Sequence, residues 1–199
     1  RNYADLPFRH APHFQHQGHC IARAAQALKE DEPDRYRLYL MEKSTPEERQ
    51  ALVEEHLISK DLLNDIPSAA ALIRDDRKVS VMVNEEDHLR IQALVDGLDL
   101  ETAAGEAFAA EERLAKEYPF SFDAQLGYLT SCPTNTGTGL RASLMLHLPL
   151  MYQFNMMGTV AQNVAKLGLT MRGIYGEGSE ALGNLYQVSN QVTLGRTEQ

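Results

Sequence analysis

Three segments of this chain alternate residues strictly enough to name their faces. In residues 78–83, Val79, Val81 and Val83 alternate with Lys78, Ser80 and Met82, the period-two pattern of a strand. A polar turn, Asn-Glu-Glu-Asp at 84–87, leads into residues 88–94, where Leu89, Ile91 and Ala93 face away from His88, Arg90 and Gln92. The pair predicts a hairpin, with a helix after the turn as the lesser alternative. Residues 140–148 alternate again: Leu140, Ala142, Leu144, Leu146 and Leu148 on the core face, Arg141, Ser143, Met145 and His147 on the other, until Pro149 ends the run. Residues 36–41, 126–131 and 185–192 read as further strands, and residues 169–184 as a strand entering a glycine-rich loop.

Helical spacing marks residues 18–30, with Ile21, Ala25 and Leu28 on one side, and residues 101–117 and 151–167. A helix start is written at Thr45-Pro46, where Thr45 serves as N-cap, Pro46 takes the first helical position and Glu48 closes a capping box. Residues 1–16, rich in His, Pro and Phe, predict a loosely structured lead-in. Helices and strands mix without a regular βαβ period, so the expected class is α+β: an antiparallel sheet flanked by helices. No repeat, low-complexity tract or linker divides the chain.

Composition narrows the partners. At 199 residues the chain suffices for one packed domain. A formal net charge of -9 argues against binding nucleic acid through its phosphates, but leaves room for a local basic pocket. No apolar run approaches the roughly 18–20 residues that span a bilayer, and no signal peptide is expected. Two distant cysteines, Cys20 and Cys132, form no disulfide framework, which points to a reducing cytoplasm. The first residue is Arg1 and no obvious ending follows Gln199, so a piece of a longer chain is expected.

The candidate chemistry lies in charged groups at strand ends. Arg90, Arg141 and Arg172 sit on polar strand faces or beside a glycine-rich loop. Always-charged, bidentate guanidinium groups suit a polyanion, although solvated surface arginines have the same spacing. Glu85, Glu86 and Asp87 in one turn, with Glu177 and Glu180 in the glycine-rich loop, would suit a cationic substrate if they converge; acidic turns are also commonplace. Residues 131–141, Ser-Cys-Pro-Thr-Asn-Thr-Gly-Thr-Gly-Leu-Arg, admit three readings: a nucleophilic Cys132, a phosphate cradle, or a polar turn. They lack the Lys-Ser/Thr of a P-loop and the following helix of a dinucleotide fingerprint. His10, His13, His16 and His19, followed by Cys20, suggest zinc by residue type, but Pro12 and Gly18 interrupt the run and the spacing fits no standard module. A flexible His-rich loop and no metal site is the expectation.

Residues 83–91, 126–149 and 172–195 together resemble the ATP:guanidino phosphotransferase (phosphagen kinase) family, closer to its bacterial protein-arginine-directed branch than to creatine or arginine kinases. The resemblance implies a guanidino kinase/glutamine synthetase-like catalytic domain filling residues 1–199. It implies transfer of the ATP γ-phosphoryl group to arginine guanidinium groups, with Mg²⁺ held through the nucleotide phosphates. By the same resemblance Glu86 and Glu177 are the carboxylates at the guanidinium and Cys132 a thiol beside it. Arg90, Arg141 and Arg172 grip the phosphates, and His56 packs near the adenine. The motif at 131–141 would then be a strand–turn–strand reaching both substrates. Its glycines would permit the bend.

Three departures qualify the resemblance. The family's upstream Ser-Ser-Arg-x-Arg segment would precede Arg1, so the domain is expected to be N-terminally truncated. The C-terminal region that recognises phosphoarginine and aids dimerisation would follow Gln199. Gln187 stands where creatine and arginine kinases carry Asp. This piece alone is therefore expected to bind ATP weakly and to turn over slowly or not at all. The implied partners of the full-length protein are proteins with accessible arginines, a zinc-binding activator, an ATP-dependent protease unfoldase and a second copy in a homodimer, in the cytoplasmic stress response. The alternatives are a kinase for a small guanidino metabolite and an inactive regulatory module.

Overall fold

A computed structural model describes residues 1–12, 14–30, 35–173 and 182–197. Its first half is built around a four-stranded antiparallel sheet in the order β1-β2-β3-β4: Tyr36–Leu40, Ala70–Arg74, Val79–Val83 and Leu89–Ala93. Helices α1 (Gln17–Glu30) and α3 (Leu100–Ala115) cover one face. There Cys20, Ala24, Leu28, Ala110 and Leu114 pack with Leu72, Val79, Val81, Val83 and Leu89. Helix α2 (Pro46–Glu54) and a 3-10 helix (Asp61–Asp65) cover the other, where Leu52, Val53 and Leu62 meet Ala71, Ile73 and Met82. The strand expected at residues 78–83 is present, and Ser80 and Met82, opposite its three valines, are buried as well under this second helical layer. The predicted capping box is present: Thr45 accepts from the Glu48 amide at 3.2 Å, and Glu48 accepts from the Thr45 amide at 2.8 Å.

The second half holds two smaller antiparallel sheets, so among the described residues the expected antiparallel, helix-flanked architecture is divided over three sheets. Strands β5 (Phe122–Asp123) and β6 (Gly127–Tyr128) form a short hairpin. Strands β7 (Ser143–His147), β8 (Leu169–Gly173) and β9 (Leu185–Asn190) join in the order β7-β9-β8, with α5 (Met157–Lys166) against β8. Strand β7 begins three residues later than the alternation predicts. The Leu140 amide goes to Thr138 Oγ1 and the Ala142 amide to Asn190 Oδ1, side-chain oxygens rather than backbone carbonyls. The core face assigned to Leu144 and Leu146 is only partly covered among the described residues, and Met145 opposite is exposed. The helix expected over residues 151–167 divides into α4 (Pro149–Gln153) and α5, because Asn155 takes a left-handed φ of 54° between them. Among the described residues no helix is long and apolar enough to cross a membrane.

The lead-in is more ordered than its composition suggests. Asn2 and Tyr3 are fully buried, Tyr3 bridges to Phe120, and the Ala4 amide reaches the Pro119 carbonyl at 2.9 Å. His88 anchors this segment: its Nδ1 accepts from the Tyr3 amide at 3.1 Å, its Nε2 lies 2.9 Å from the Pro7 carbonyl, and Tyr3 and Phe14 stack on the ring.

Candidate active site

The candidate site forms where the 84–87 turn meets the 131–141 loop. Asn84, in a left-handed conformation with φ 63°, closes the β3–β4 hairpin, and its amide group donates to the Ser68 and Gln17 carbonyls. That fixes the three acids after it in different environments. Glu85 and Asp87 turn inward and are buried, whereas Glu86 projects to solvent. Asp87 Oδ1 accepts from Asn2 Nδ2 and from the Ser131 amide, both at 2.7 Å. Asn135 Nδ2 donates to Glu86 Oε2 at 3.3 Å. These contacts bring Glu86 beside the loop that carries Cys132.

That loop is braced from both sides. Pro133–Asn135 form one 3-10 turn, closed by the Asn135 amide on the Cys132 carbonyl at 3.0 Å. Thr130 Oγ1 donates to the Cys132 carbonyl, and Thr193 Oγ1 reaches the Thr134 and Thr136 carbonyls at 2.9 and 2.8 Å. Cys132 itself is half-buried, with Thr134 Oγ1 3.0 Å from its Sγ. Glu86 titrates above the ordinary glutamate range, first because of partial burial and then because Asp87 and Glu85 lie beside it.

The arginines divide between sheets. Arg90 lies on β4, its Nη1 2.5 Å from Glu85 Oε1, with nearly half of its side chain still exposed. Arg172 lies on β8 opposite Gln187 of β9, and Gln187 donates to Ser143 Oγ on β7 at 2.9 Å. Arg141 is exposed just ahead of β7. His56 takes a left-handed φ of 58° immediately after α2, a position glycine usually fills. The half-buried ring is held below the ordinary imidazole range by burial.

Glu177, Glu180 and His13 lie outside the described residues. Cys20 is enclosed in the core, its thiol pushed up to about 12 by burial. Among the described residues no three His, Cys, Asp or Glu side chains form a group that would hold a metal ion. The sequence reading missed Asn2, Asn135 and Ser59 as contributors. Asn2 and Asn135 are small polar residues within segments that the sequence marks, which is the available signal; Ser59 lies outside them.

His88 supplies a pH test of this corner. Burial holds its imidazole below the ordinary value of about 6.5, so the unfolded chain binds the proton more readily than the folded one. Stability is therefore full above about pH 6.5 and falls as pH drops through that value, His56 adding in the same direction. An NMR titration of the His88 ring is expected to show a midpoint below 6.5. A midpoint at or above it would contradict the buried neutral ring.

A family model described as ATP:guanido phosphotransferase, C-terminal catalytic domain, matches residues 19–199. The protein-arginine kinase of Caldanaerobacter subterraneus subsp. tengcongensis is 45% identical over 201 residues, covering 100% of this chain and 60% of the relative. The protein-arginine kinase of Geobacillus stearothermophilus is 48% identical over 168 residues, covering 84% of this chain and 46% of the relative. Among solved structures, the duplicated taurocyamine kinase from Schistosoma mansoni, with bound transition state analog components, matches at TM-score 0.85 and 28% identity. That match covers 100% of this chain and 29% of the other. Lombricine kinase matches at TM-score 0.80 and 25% identity, covering 100% of this chain and 58% of the other. The chain thus spans 60% of the length of the first of these relatives. With its antiparallel sheets flanked by helices, it belongs to the ATP:guanido phosphotransferase family, in the region of that family's C-terminal catalytic domain.

Proposed function

We propose that the protein containing this chain transfers the γ-phosphoryl group of ATP to arginine side chains of proteins. The observation that carries the reading is the docking of the Cys132 loop on the 84–87 turn, which sets Glu86 beside that loop through Asn135. The identity to protein-arginine kinases, 45% in the example from Caldanaerobacter subterraneus subsp. tengcongensis, favours protein arginine over a small guanidino compound.

The chemistry accounts for the residue types. A guanidinium, with a pKa above about 12, is a poor nucleophile. Glu86 orients it and takes a proton as a guanidino nitrogen bonds to the γ-phosphorus and the bond to the bridging oxygen of ADP breaks. Glu177 is the second carboxylate on the family resemblance. Arg90, Arg141 and Arg172 neutralise the phosphate oxygens, and His56 receives the adenine. Mg²⁺ enters on the nucleotide phosphates, whose hard oxygens suit it. Cys132 modulates charge beside the guanidinium and is not a covalent nucleophile. The partners that follow are unfolded or arginine-exposing proteins, an activator and the protease that receives the marked proteins, in the cytoplasm, with the full-length protein as a homodimer.

Incubating the full-length protein with Mg·ATP and either an unfolded basic protein or free arginine tests the reading. Acid-labile phosphate is expected on the protein. Transfer to free arginine alone would overturn the protein-directed reading, and transfer to neither would overturn the kinase.

A further inference from the structure

Glu85 is a buried carboxylate of the site and has no role in the transfer just described. It is buried under the turn, and every contact it makes leads to a different part of the candidate machinery. Its Oε1 accepts from Arg90 Nη1 at 2.5 Å and also from Ser59 Oγ; its Oε2 accepts from the Glu86 amide at 3.2 Å. Ser59 in turn accepts from the Leu62 amide at 3.1 Å, at the start of the 3-10 helix Asp61–Asp65. Three residues earlier, the left-handed turn at His56 is held by Gln92, whose side-chain amide donates to the His56 carbonyl. Arg90 and Gln92 lie two residues apart on β4 and so share a face. One strand face thus grips both ends of the 56–59 segment, directly at His56 and through Glu85 at Ser59.

We propose that Glu85 is a positioning residue that ties the phosphate-side Arg90 to the adenine-side His56 turn, making nucleotide recognition at the two ends one cooperative unit. This rests on the reading of Arg90 and His56 as nucleotide contacts. The pair with Glu85 occupies one edge of the guanidinium, whose five donors are fixed in a plane, and the exposed half of Arg90 remains for a phosphate. A guanidinium already held in one orientation loses less freedom when the phosphate arrives. That gain outweighs the partial neutralisation of its charge, because the buried carboxylate is also engaged by Ser59 and the Glu86 amide. The same carboxylate keeps Ser59, and with it the turn that presents His56, in place.

The test compares Kd for Mg·ADP and for adenosine, measured by calorimetry and NMR titration, in the full-length protein and its variants. Glu85→Ala is expected to weaken Mg·ADP about tenfold, the scale of one charge-assisted contact, and adenosine about threefold, so that the advantage of ADP over adenosine shrinks about threefold. Ser59→Ala is expected to weaken both ligands by the same factor, about threefold, and to leave that advantage unchanged. Glu85→Gln keeps an acceptor for Ser59 and is expected to restore adenosine affinity but only part of the ADP affinity.

Unchanged or tighter Mg·ADP binding in Glu85→Ala overturns the proposal, as does a loss equal for the two ligands, which a merely structural role would give. Should Glu85→Ala fail to fold, Glu85→Gln and Ser59→Ala decide by the same ratio: an equal loss in Glu85→Gln, or no loss in Ser59→Ala, overturns it. A wild type that binds no Mg·ADP removes the nucleotide-site reading itself. Wild-type binding with an unaltered ratio in Glu85→Ala removes only the role of Glu85.

Discussion

Glu86→Gln is expected to slow phosphoryl transfer to protein arginine by about 10²- to 10⁴-fold, the range a positioned acid–base group contributes. The KM for ATP is expected to stay near the wild-type value. Of the three acids in the turn, Glu86 alone is free to meet a substrate. Glu85 is committed to Arg90 and Ser59, and Asp87 to Asn2 and the Ser131 amide. Asn135 donates to Oε2 of Glu86, and Glu86 is exposed. Glutamine keeps the size of the group but supplies no base for the guanidinium proton. The raised pKa of Glu86 adds a second readout. Its ionised form is the active one, so kcat/KM rises with pH through a limb displaced above the ordinary glutamate value of about 4.3. Transfer near the wild-type rate in Glu86→Gln, or a wild-type limb at or below the ordinary value, would remove Glu86 from the chemistry.

How much of this was legible depends on where the determining contacts lie. The capping box at Thr45 and Glu48 acts across three residues, and the alternation of Val79, Val81 and Val83 acts within one strand. Both were readable because local periodicity carries them. Strand β2, Ala70–Arg74, went unread. All five of its residues are buried because helices cover both faces of its sheet, so it shows a short continuous run instead of alternation. The predicted strand at residues 126–131 shrinks to Gly127–Tyr128 because the Ser131 amide is drawn to Asp87, a residue 44 positions earlier.

The site follows the same division. Glu86, Arg90 and Cys132 were picked out by type and by family resemblance. That Glu86 lies beside the Cys132 loop rests on the Asn135 amide, 49 positions away in sequence. No local pattern encodes such a contact. The inward turn of Glu85 and Asp87 was equally hidden, since three consecutive acids read alike until the hairpin assigns each a direction.

Gly137→Ala is expected to destabilise the fold by about 2–4 kcal/mol, combining a right-side backbone conformation with overpacking. Gly137 has φ 113°, a region that L side chains rarely adopt. A Cβ there would lie 2.5 Å from the Thr193 carbonyl oxygen and 2.8 Å from Leu194 Cα, backbone atoms with no rotamer to yield. The strand before it cannot move away freely. The Tyr128 and Gly137 amides and carbonyls pair at 2.8 and 3.1 Å, and Gly127 packs against Gly137 from that side. The segment carrying residue 193 is held in turn, because Thr193 Oγ1 bonds to the carbonyls of Thr134 and Thr136 and the Thr138 amide bonds to the Thr193 carbonyl. Any shift that accommodates the methyl group therefore moves the 3-10 turn at Pro133–Asn135, and with it Cys132 and the Asn135 amide on Glu86. Denaturant unfolding is expected to show the lowered midpoint, and the kinase assay a fall in kcat larger than the change in KM for ATP. Gly105→Ala is the control. It lies within α3 with nothing within 4 Å of the added Cβ, and it is expected to stabilise slightly, because alanine favours helix over glycine by about 1 kcal/mol. Stability within about 0.5 kcal/mol of wild type in Gly137→Ala, the ordinary range for surface substitutions, would mean that the loop is not braced as these contacts require.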